Sequence, residues 1–325
     1  MKKLLFSILA VVLVIGLAAC GSSESGGDAQ GESSLPSQLI IATGGTSGVY
    51  YPLGGGIAQI ITNNTNVSAT AQTTGGSVEN MRLLGSKEVE LAFVQNDIAY
   101  YAANDQLMFE GTAVTNLQGM ATLYNETVQI VLPENSDITS VADLEGRRVS
   151  VGAPGSGVEA NARQVLEVFG LTFDDLNSQH LAFGDSVSSI QDGALDAAFV
   201  TAGAPTAAVT ELSATRGVKL LSLEADKIAE LIEKYPFYVE DTIPADTYPG
   251  VAETTTVAVK AMLAVSSDLP EDFVYEATKA LFDNKDQLVA INQRAASIAP
   301  ENALEGLSID LHPGALKFFQ EEGLK

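Results

Sequence analysis

The sequence predicts an α/β fold arranged as two lobes, and three observations lead there. From residue 38 onward, short apolar runs alternate with amphipathic segments, the rhythm of strands and helices in an α/β protein. The chain has 325 residues, and its structured part exceeds one domain of roughly 100 to 200 residues. Two strand-helix series are separated near residue 133, and a late run rich in Thr and Val turns the chain back toward the first.

In the first series, residues 38–42, 67–72 and 91–94 read as strands, with helices at 52–63 and 77–84 between them. Such crossovers favour parallel pairing. Residues 128–133 form an apolar strand that ends in Glu134, Asn135, Ser136 and Asp137. The second series begins at 149–152. Its first helix, 157–169, places Val158, Ala162, Val165, Leu166 and Phe169 on one face and stops at Gly170. Strands at 180–182, 197–200 and 218–222 follow, separated by helices at 187–192 and 204–212. A returning strand at 253–265 and helices at 271–284 and 314–322 complete the chain. The expected limits are 37–133 with 241–325 for the first lobe and 134–240 for the second, the two crossings acting as a hinge.

The N-terminal residues carry a different message. Met1, Lys2 and Lys3 precede an apolar run over 4–17, interrupted only by Ser7 and Gly16, in the order of a secretory signal. The run is too short to span a membrane comfortably. It ends in Leu17-Ala18-Ala19-Cys20, which resembles a bacterial lipobox, so residues 1–19 are expected to be a signal peptide and Cys20 a lipidation site that anchors the chain to the cell membrane on its extracytoplasmic side, in a periplasm or at the outer face of the membrane. Residues 20–36, nearly all Gly, Ser, Glu, Asp, Gln and Ala, read as a flexible tether. Cys20 is the single cysteine of the chain, so no intramolecular disulfide can form.

The formal net charge is −24, and it grows more negative once Lys2 and Lys3 are removed. Nucleic-acid partners are excluded, because a polyphosphate needs a basic surface. Catalysis finds little support. Neither a G-x-S-x-G elbow nor a P-loop occurs, the two histidines lie far apart, and no metal-ligand spacing is present. No catalytic residue, metal or cofactor is therefore assigned.

What remains is a set of loops in which glycine stands beside hydroxyl residues just before a helix. The first is Gly44-Gly45-Thr46-Ser47-Gly48-Val49-Tyr50-Tyr51-Pro52, the second Gly75-Gly76-Ser77, and the third Gly155-Ser156-Gly157. Glycine lets the backbone approach a ligand. Each helix start also offers unpaired amides and a partial positive charge, which suits a carboxylate or phosphate. Since open α/β sheets bind ligands beyond the carboxyl ends of their strands, these loops can converge on one cleft and hold a small anionic solute. Gln95, Asn96 and Asp97 after the third strand, Tyr124 before the hinge strand, and Thr201 after Val200 join the candidates for orienting it. Arg82, Arg147, Arg148 and Arg163 are the candidate cationic partners.

The ordered motifs Ile41-Ala42-Thr43-Gly44-Gly45-Thr46-Ser47-Gly48-Val49-Tyr50-Tyr51-Pro52, Gly75-Gly76-Ser77-Val78-Glu79-Asn80 and Val151-Gly152-Ala153-Pro154-Gly155-Ser156-Gly157 resemble the TAXI-family solute receptors of TRAP transporters. Gly193-Ala194-Leu195-Asp196-Ala197-Ala198-Phe199 extends the resemblance, while Leu123-Tyr124-Asn125-Glu126 departs from the Tyr-Pro-Glu of that family. The resemblance implies a type II periplasmic-binding-protein fold, an extracytoplasmic receptor and a TRAP-type permease as partner. It further implies a small carboxylate of the glutamate or 2-oxoglutarate class as ligand. Contact with that ligand carries over onto Thr46, Ser47, Gly48, Tyr50, Tyr51, Gly76, Ser77, Gln95, Asn96, Asp97, Gly155, Ser156 and Gly157. A receptor for an ABC importer and a ligand-sensing surface lipoprotein are the alternatives.

Overall fold

The computed structural model describes residues 35–36 and 38–325. The signal-like run, Cys20 and most of the tether lie outside the described residues.

Among the described residues ten strands join in one mixed sheet, eight of them in the order β2-β1-β3-β10-β4-β7-β5-β6, with β8 beside β4 and β9 beside β10. Strands β1 (Gln38–Ala42), β2 (Ser68–Gln72) and β3 (Leu91–Gln95) pair in parallel, connected by helices α1 (Tyr50–Asn64) and α2 (Ser77–Gly85). The backbone then turns directly into α3 (Asn96–Ala103). In the second half, β5 (Arg148–Ser150), β6 (Asn177–Gln179) and β7 (Ala197–Ala202) also run parallel. They carry α4 (Gly157–Val168) and α5 (Phe183–Gln191). Helix α6 (Ala207–Thr215), the short β8 (Val218–Leu220) and α7 (Ala225–Lys234) complete that half.

Two long antiparallel strands, β4 (Leu117–Pro133) and β10 (Thr254–Ser266), join the halves. Thr127 is the pivot of the pairing: it faces Ala258 of β10 on one side and Ala202 of β7 on the other. Below it β4 pairs with β10, which also holds β3; above it β4 pairs with β7 and β8, while β9 (Val239–Ile243) lies along the start of β10. The β4–β10 register shifts twice, between Lys260 and Met262 and between Leu263 and Ala264, and such bulges bend and twist a strand. Helices α8 (Glu271–Asp283), α9 (Lys285–Ile291) and α10 (Pro313–Glu321) return to the first half. This is the two-lobed type II periplasmic-binding-protein architecture.

Burial follows the alternation of layers. Val128, Ile130, Leu132, Val149, Val165, Leu166 and Phe199 pack the second lobe, whereas Met81, Leu84, Val94, Ile98 and Met262 pack one face of the first. On the other face, Leu53, Ile57, Tyr124 and Leu263 are continuous with Val200, Val209 and Leu212, so apolar packing crosses the lobe boundary.

Several expectations shift. The strand predicted at 128–133 begins at Leu117, because the buried Thr122, Glu126 and Thr127 and the half-buried Asn125 break its apolar pattern. The strand predicted at 180–182 lies at Asn177–Gln179, a polar edge segment with no hydrophobic signal. Helices α3, α7 and α9 and strand β9 are additional to the sequence reading.

Candidate functional site

Between the lobes lies a cavity of about 310 Å³, lined by the starts of four helices. From the first lobe come residues 44–50, leading into α1, and 74–77, leading into α2. From the second come Ser156 and Gly157 at the start of α4 and Ala182 to Asp185 at the start of α5. The reason they meet is topological: each helix follows a strand whose carboxyl end points at the cleft.

The caps of these helices differ from ordinary practice. Ser156 caps α4, its hydroxyl accepting from the Glu159 amide at 3.1 Å. Helices α1, α2 and α5 receive no side-chain cap; the residues before them are Val49, Gly76 and Ala182. Ser77, in the capping region of α2, instead uses its hydroxyl to accept the Gln95 amide at 3.1 Å, which locks that helix start to the end of β3. Gly76 has φ 122°, a backbone conformation that favours glycine. Three helix ends thus turn free amides and partial positive charge toward one space.

Asn80 fixes the first-lobe loops from beneath. Fully buried, it donates from Nδ2 to Thr43 O at 2.6 Å and to Phe93 O at 2.7 Å, and its Oδ1 accepts from the Thr74 hydroxyl at 2.6 Å. The ends of β1 and β3 and the turn before α2 are therefore held by one side chain.

Among the described residues the lining contains no Lys or Arg. Its titratable side chains are Tyr50, Asp185 and Glu126. Glu126 is 3% exposed and accepts a hydrogen bond from the Tyr50 hydroxyl at 2.8 Å. Burial pushes its carboxyl up to about 8, against opposing hydrogen bonds from Tyr50 and Gln95. Two further buried acceptors on the wall, Gln95 Oε1 and Thr201 Oγ1, lack a hydrogen-bond partner among the described residues.

Of the sequence candidates, Thr46, Ser47, Gly48, Tyr50, Gly76, Ser77, Gln95, Ser156, Gly157 and Thr201 come together in this lining. Tyr51 does not; one helical step beyond Tyr50, it is 37% exposed. Asn96 and Asp97 turn away in the first turn of α3. Asn96 accepts from Lys260 N and donates to Gly306 O, and Asp97 sits at a separate contact between the lobes. Gly155 lies behind the wall, its carbonyl accepting from the Glu79 amide at 3.0 Å. Tyr124 lines a second cavity. The candidate arginines are engaged elsewhere: Arg147 with Asp137, Arg148 with Asp196, Arg163 over Phe173, and Arg82 over Phe109.

Glu126 and the Ala182-Phe183-Gly184-Asp185 turn were missed by sequence reasoning. The turn carried only a weak signal, since its single glycine, Gly184, lies inside the first turn of α5 rather than before it. Glu126 carries no comparable local mark beyond being an acid within a strand.

The lobes are closed on one another. The Glu79–Gly155 bond is joined by Ala208 N to Ser47 O at 3.3 Å, Gln164 Nε2 to the Tyr101 hydroxyl at 3.3 Å, and Arg294 Nη1 to Ala204 O at 3.1 Å. Glycines make this approach feasible. A Cβ on Gly75 would stand 2.6 Å from Pro154 O of the opposite lobe, and one on Gly157 would collide with the Gln95 amide.

The fold and this cleft define the architecture shared by two-lobed solute-binding proteins. A sequence model of the NMT1-like family matches residues 41–323, and the chain belongs to that family. Solved structures with the same fold include PhnD1 from Prochlorococcus marinus in complex with methylphosphonate, 11% identical over 82% of this chain and 92% of that one, TM-score 0.55. A putative L-cystine ABC transporter protein from Listeria monocytogenes is 13% identical, over 81% and 98% respectively, TM-score 0.52. The alkanesulfonate-binding protein SsuA from Xanthomonas axonopodis pv. citri, bound to MOPS, is 14% identical over 89% and 92%, TM-score 0.50. Among the described residues no helix is long and apolar enough to cross a membrane.

Proposed function

We propose that this protein is an extracytoplasmic solute-binding receptor that encloses a small carboxylate between its lobes and hands it to a membrane transporter. The observation that carries the reading is the meeting of four helix starts, three of them without a side-chain cap, around one cavity of about 310 Å³. Amides replace the absent cationic side chains as anion partners. A binding role, rather than catalysis, agrees with the surroundings of both histidines: His180 is partly exposed beside Glu159, and His312 caps α10.

The second end of the ligand is written in the acceptors. Gln95 Oε1, Thr201 Oγ1 and Glu126 suit a donor group on the solute, and an ammonium beside Glu126 would pull its carboxyl back toward the ionised form. Within the glutamate or 2-oxoglutarate class this favours the amino acid. Lobe limits of 37–133 with 241–325 and of 134–240 are part of this reading, and the change of β4 partners at Thr127, which faces both Ala258 and Ala202, supports a crossing in that region. Motifs 41–52, 75–80 and 151–157 support a TAXI-type receptor serving a TRAP permease, anchored through lipid at Cys20. The ABC-importer reading is kept alive by the fold shared with the putative L-cystine ABC transporter protein.

Thermal-shift titration of the purified protein with L-glutamate, 2-oxoglutarate and glutarate tests the proposal. Binding at 100 times Kd adds about 2.7 kcal/mol to stability. Glutamate alone giving a saturable rise supports the amino-acid reading. No rise with any of the three, after unfolding and refolding to strip captured solute, would overturn the carboxylate assignment.

A further inference from the structure

The second cavity, about 250 Å³, lies beside the β4–β10 pairing and is lined by Tyr124, Lys260, Arg294 and Glu305, among others. Its charges do not cancel. Lys260 is 3.4 Å from Glu305, whereas Arg294 has no acidic partner among the described residues. One arginine charge therefore faces a polar cavity.

The guanidinium is also oriented. Its Nη1 donates to Ala204 O at 3.1 Å, and the Gly203 backbone packs against its stem, where a Cβ would stand 2.8 Å from Cγ. Nε is buried and unpartnered. With Nη1 occupied, the edge formed by Nε and Nη2 is the one that binds two oxygens of a planar or tetrahedral oxyanion side by side. A second orphan stands at the same cavity: Tyr124 is 2% exposed, yet its hydroxyl finds no partner among the described residues. Buried polar groups left unpaired are uncommon, and each one costs about 1–3 kcal/mol unless something satisfies it.

We propose that this cavity is a second anion site, separate from the inter-lobe cleft, in which a small oxyanion such as a carboxylate, phosphate or sulfate sits on the Nε–Nη2 edge of Arg294 with the Tyr124 hydroxyl as a further donor. Because Arg294 reaches across to Ala204 of the second lobe, an anion here stabilises the closed arrangement without touching the solute.

The chain has six arginines, all in its folded region, so their Nε–H resonances can be followed individually. The ¹⁵N-labelled protein is titrated at constant ionic strength with acetate, with phosphate and with sulfate, chloride being the exchanged anion. The expected result is saturable movement of one Nε resonance, the one missing from Arg294→Lys, with the three arms ranking the oxyanions. Tyr124→Phe keeps the fold and weakens that response. Arg294→Lys, which keeps the charge but not the fork, lowers the apparent affinity by about tenfold or more in thermal-shift titration with the same anions. Equal, unsaturable drift of all six resonances, or a response in Arg294→Lys equal to that of the parent, overturns the proposal.

Discussion

Gly75→Ala should separate ligand capture from folding. The glycine precedes α2 in the first lobe, and a methyl group there would stand 2.6 Å from the Pro154 carbonyl oxygen and 2.8 Å from Glu79 Oε2. The glutamate belongs to the same lobe and is a flexible chain, so it can swing aside at the loss of the hydrogen bond its Oε2 accepts from Gly75 N at 2.7 Å, a loss that open and closed forms share. Pro154 O is backbone of the opposite lobe and can retreat only if the lobes part. Overpacking of this kind costs about 1–3 kcal/mol, and the cost falls on the closed form alone. At about 1.4 kcal/mol per factor of ten, solute affinity drops by roughly 5- to 150-fold. Isothermal titration with whichever acid gives the thermal shift measures it, and small-angle scattering reports whether saturating solute still compacts the molecule. Gly55→Ala serves as control: a Cβ there meets nothing within 4 Å, and alanine inside a helix adds about 0.5–1 kcal/mol of stability without touching binding. Equal affinities for the parent and Gly75→Ala would refute the claim that the seam between Gly75 and Pro154 closes on the ligand.

Other substitutions probe different layers. Asn80→Ala removes three hydrogen bonds of a buried side chain and leaves the Thr43 carbonyl with only the Thr74 hydroxyl as a side-chain donor, so chemical denaturation should show a loss of about 2–4 kcal/mol. Asp97, fully buried against Asn161, has its carboxyl raised by desolvation to about 7. Its protonated form is the one the closed structure favours, so the associated stability is complete below about pH 4 and is lost as pH rises through 7. Asp97→Asn should therefore gain stability relative to the parent between pH 5 and 8, and a pH-independent difference in melting temperature would contradict this. For Glu126→Gln, calorimetry in buffers of different ionisation enthalpy should show that the proton released by the parent on binding glutamate near pH 7 is no longer released.

Much of the scaffold could be read from residue order, and the exceptions share a cause. Helix α4 was legible because Val158, Ala162, Val165 and Leu166 recur on one face and Gly170 stops it. The loops at 44–50 and 75–77 were legible because glycine before a helix is a local signal. Tyr124 and Glu126 sit two residues apart on one strand, yet line different cavities; which neighbour each meets depends on α1 and on the Arg294 turn, far away in sequence. Likewise Asn96 and Asp97 share the chemistry of Gln95 but lie past the point where strand becomes helix, so their side chains leave the cleft. Chemistry is local, while direction is decided by register and by partners far away in the sequence, 76 residues for Tyr50 and Glu126 and 210 for Asn96 and Gly306.

The two long strands bear on how this protein can be cut or rebuilt. Since β4 holds β10 over one part of its length and β7 and β8 over the rest, excising either lobe as a fragment would strip a row of amides and carbonyls of their partners. Such an exposed edge invites pairing between copies. Circular permutation or insertion of a reporter domain should accordingly target surface turns such as the one around Gly111, where the chain is exposed and a Cβ would meet nothing within 4 Å, leaving both shared strands unbroken.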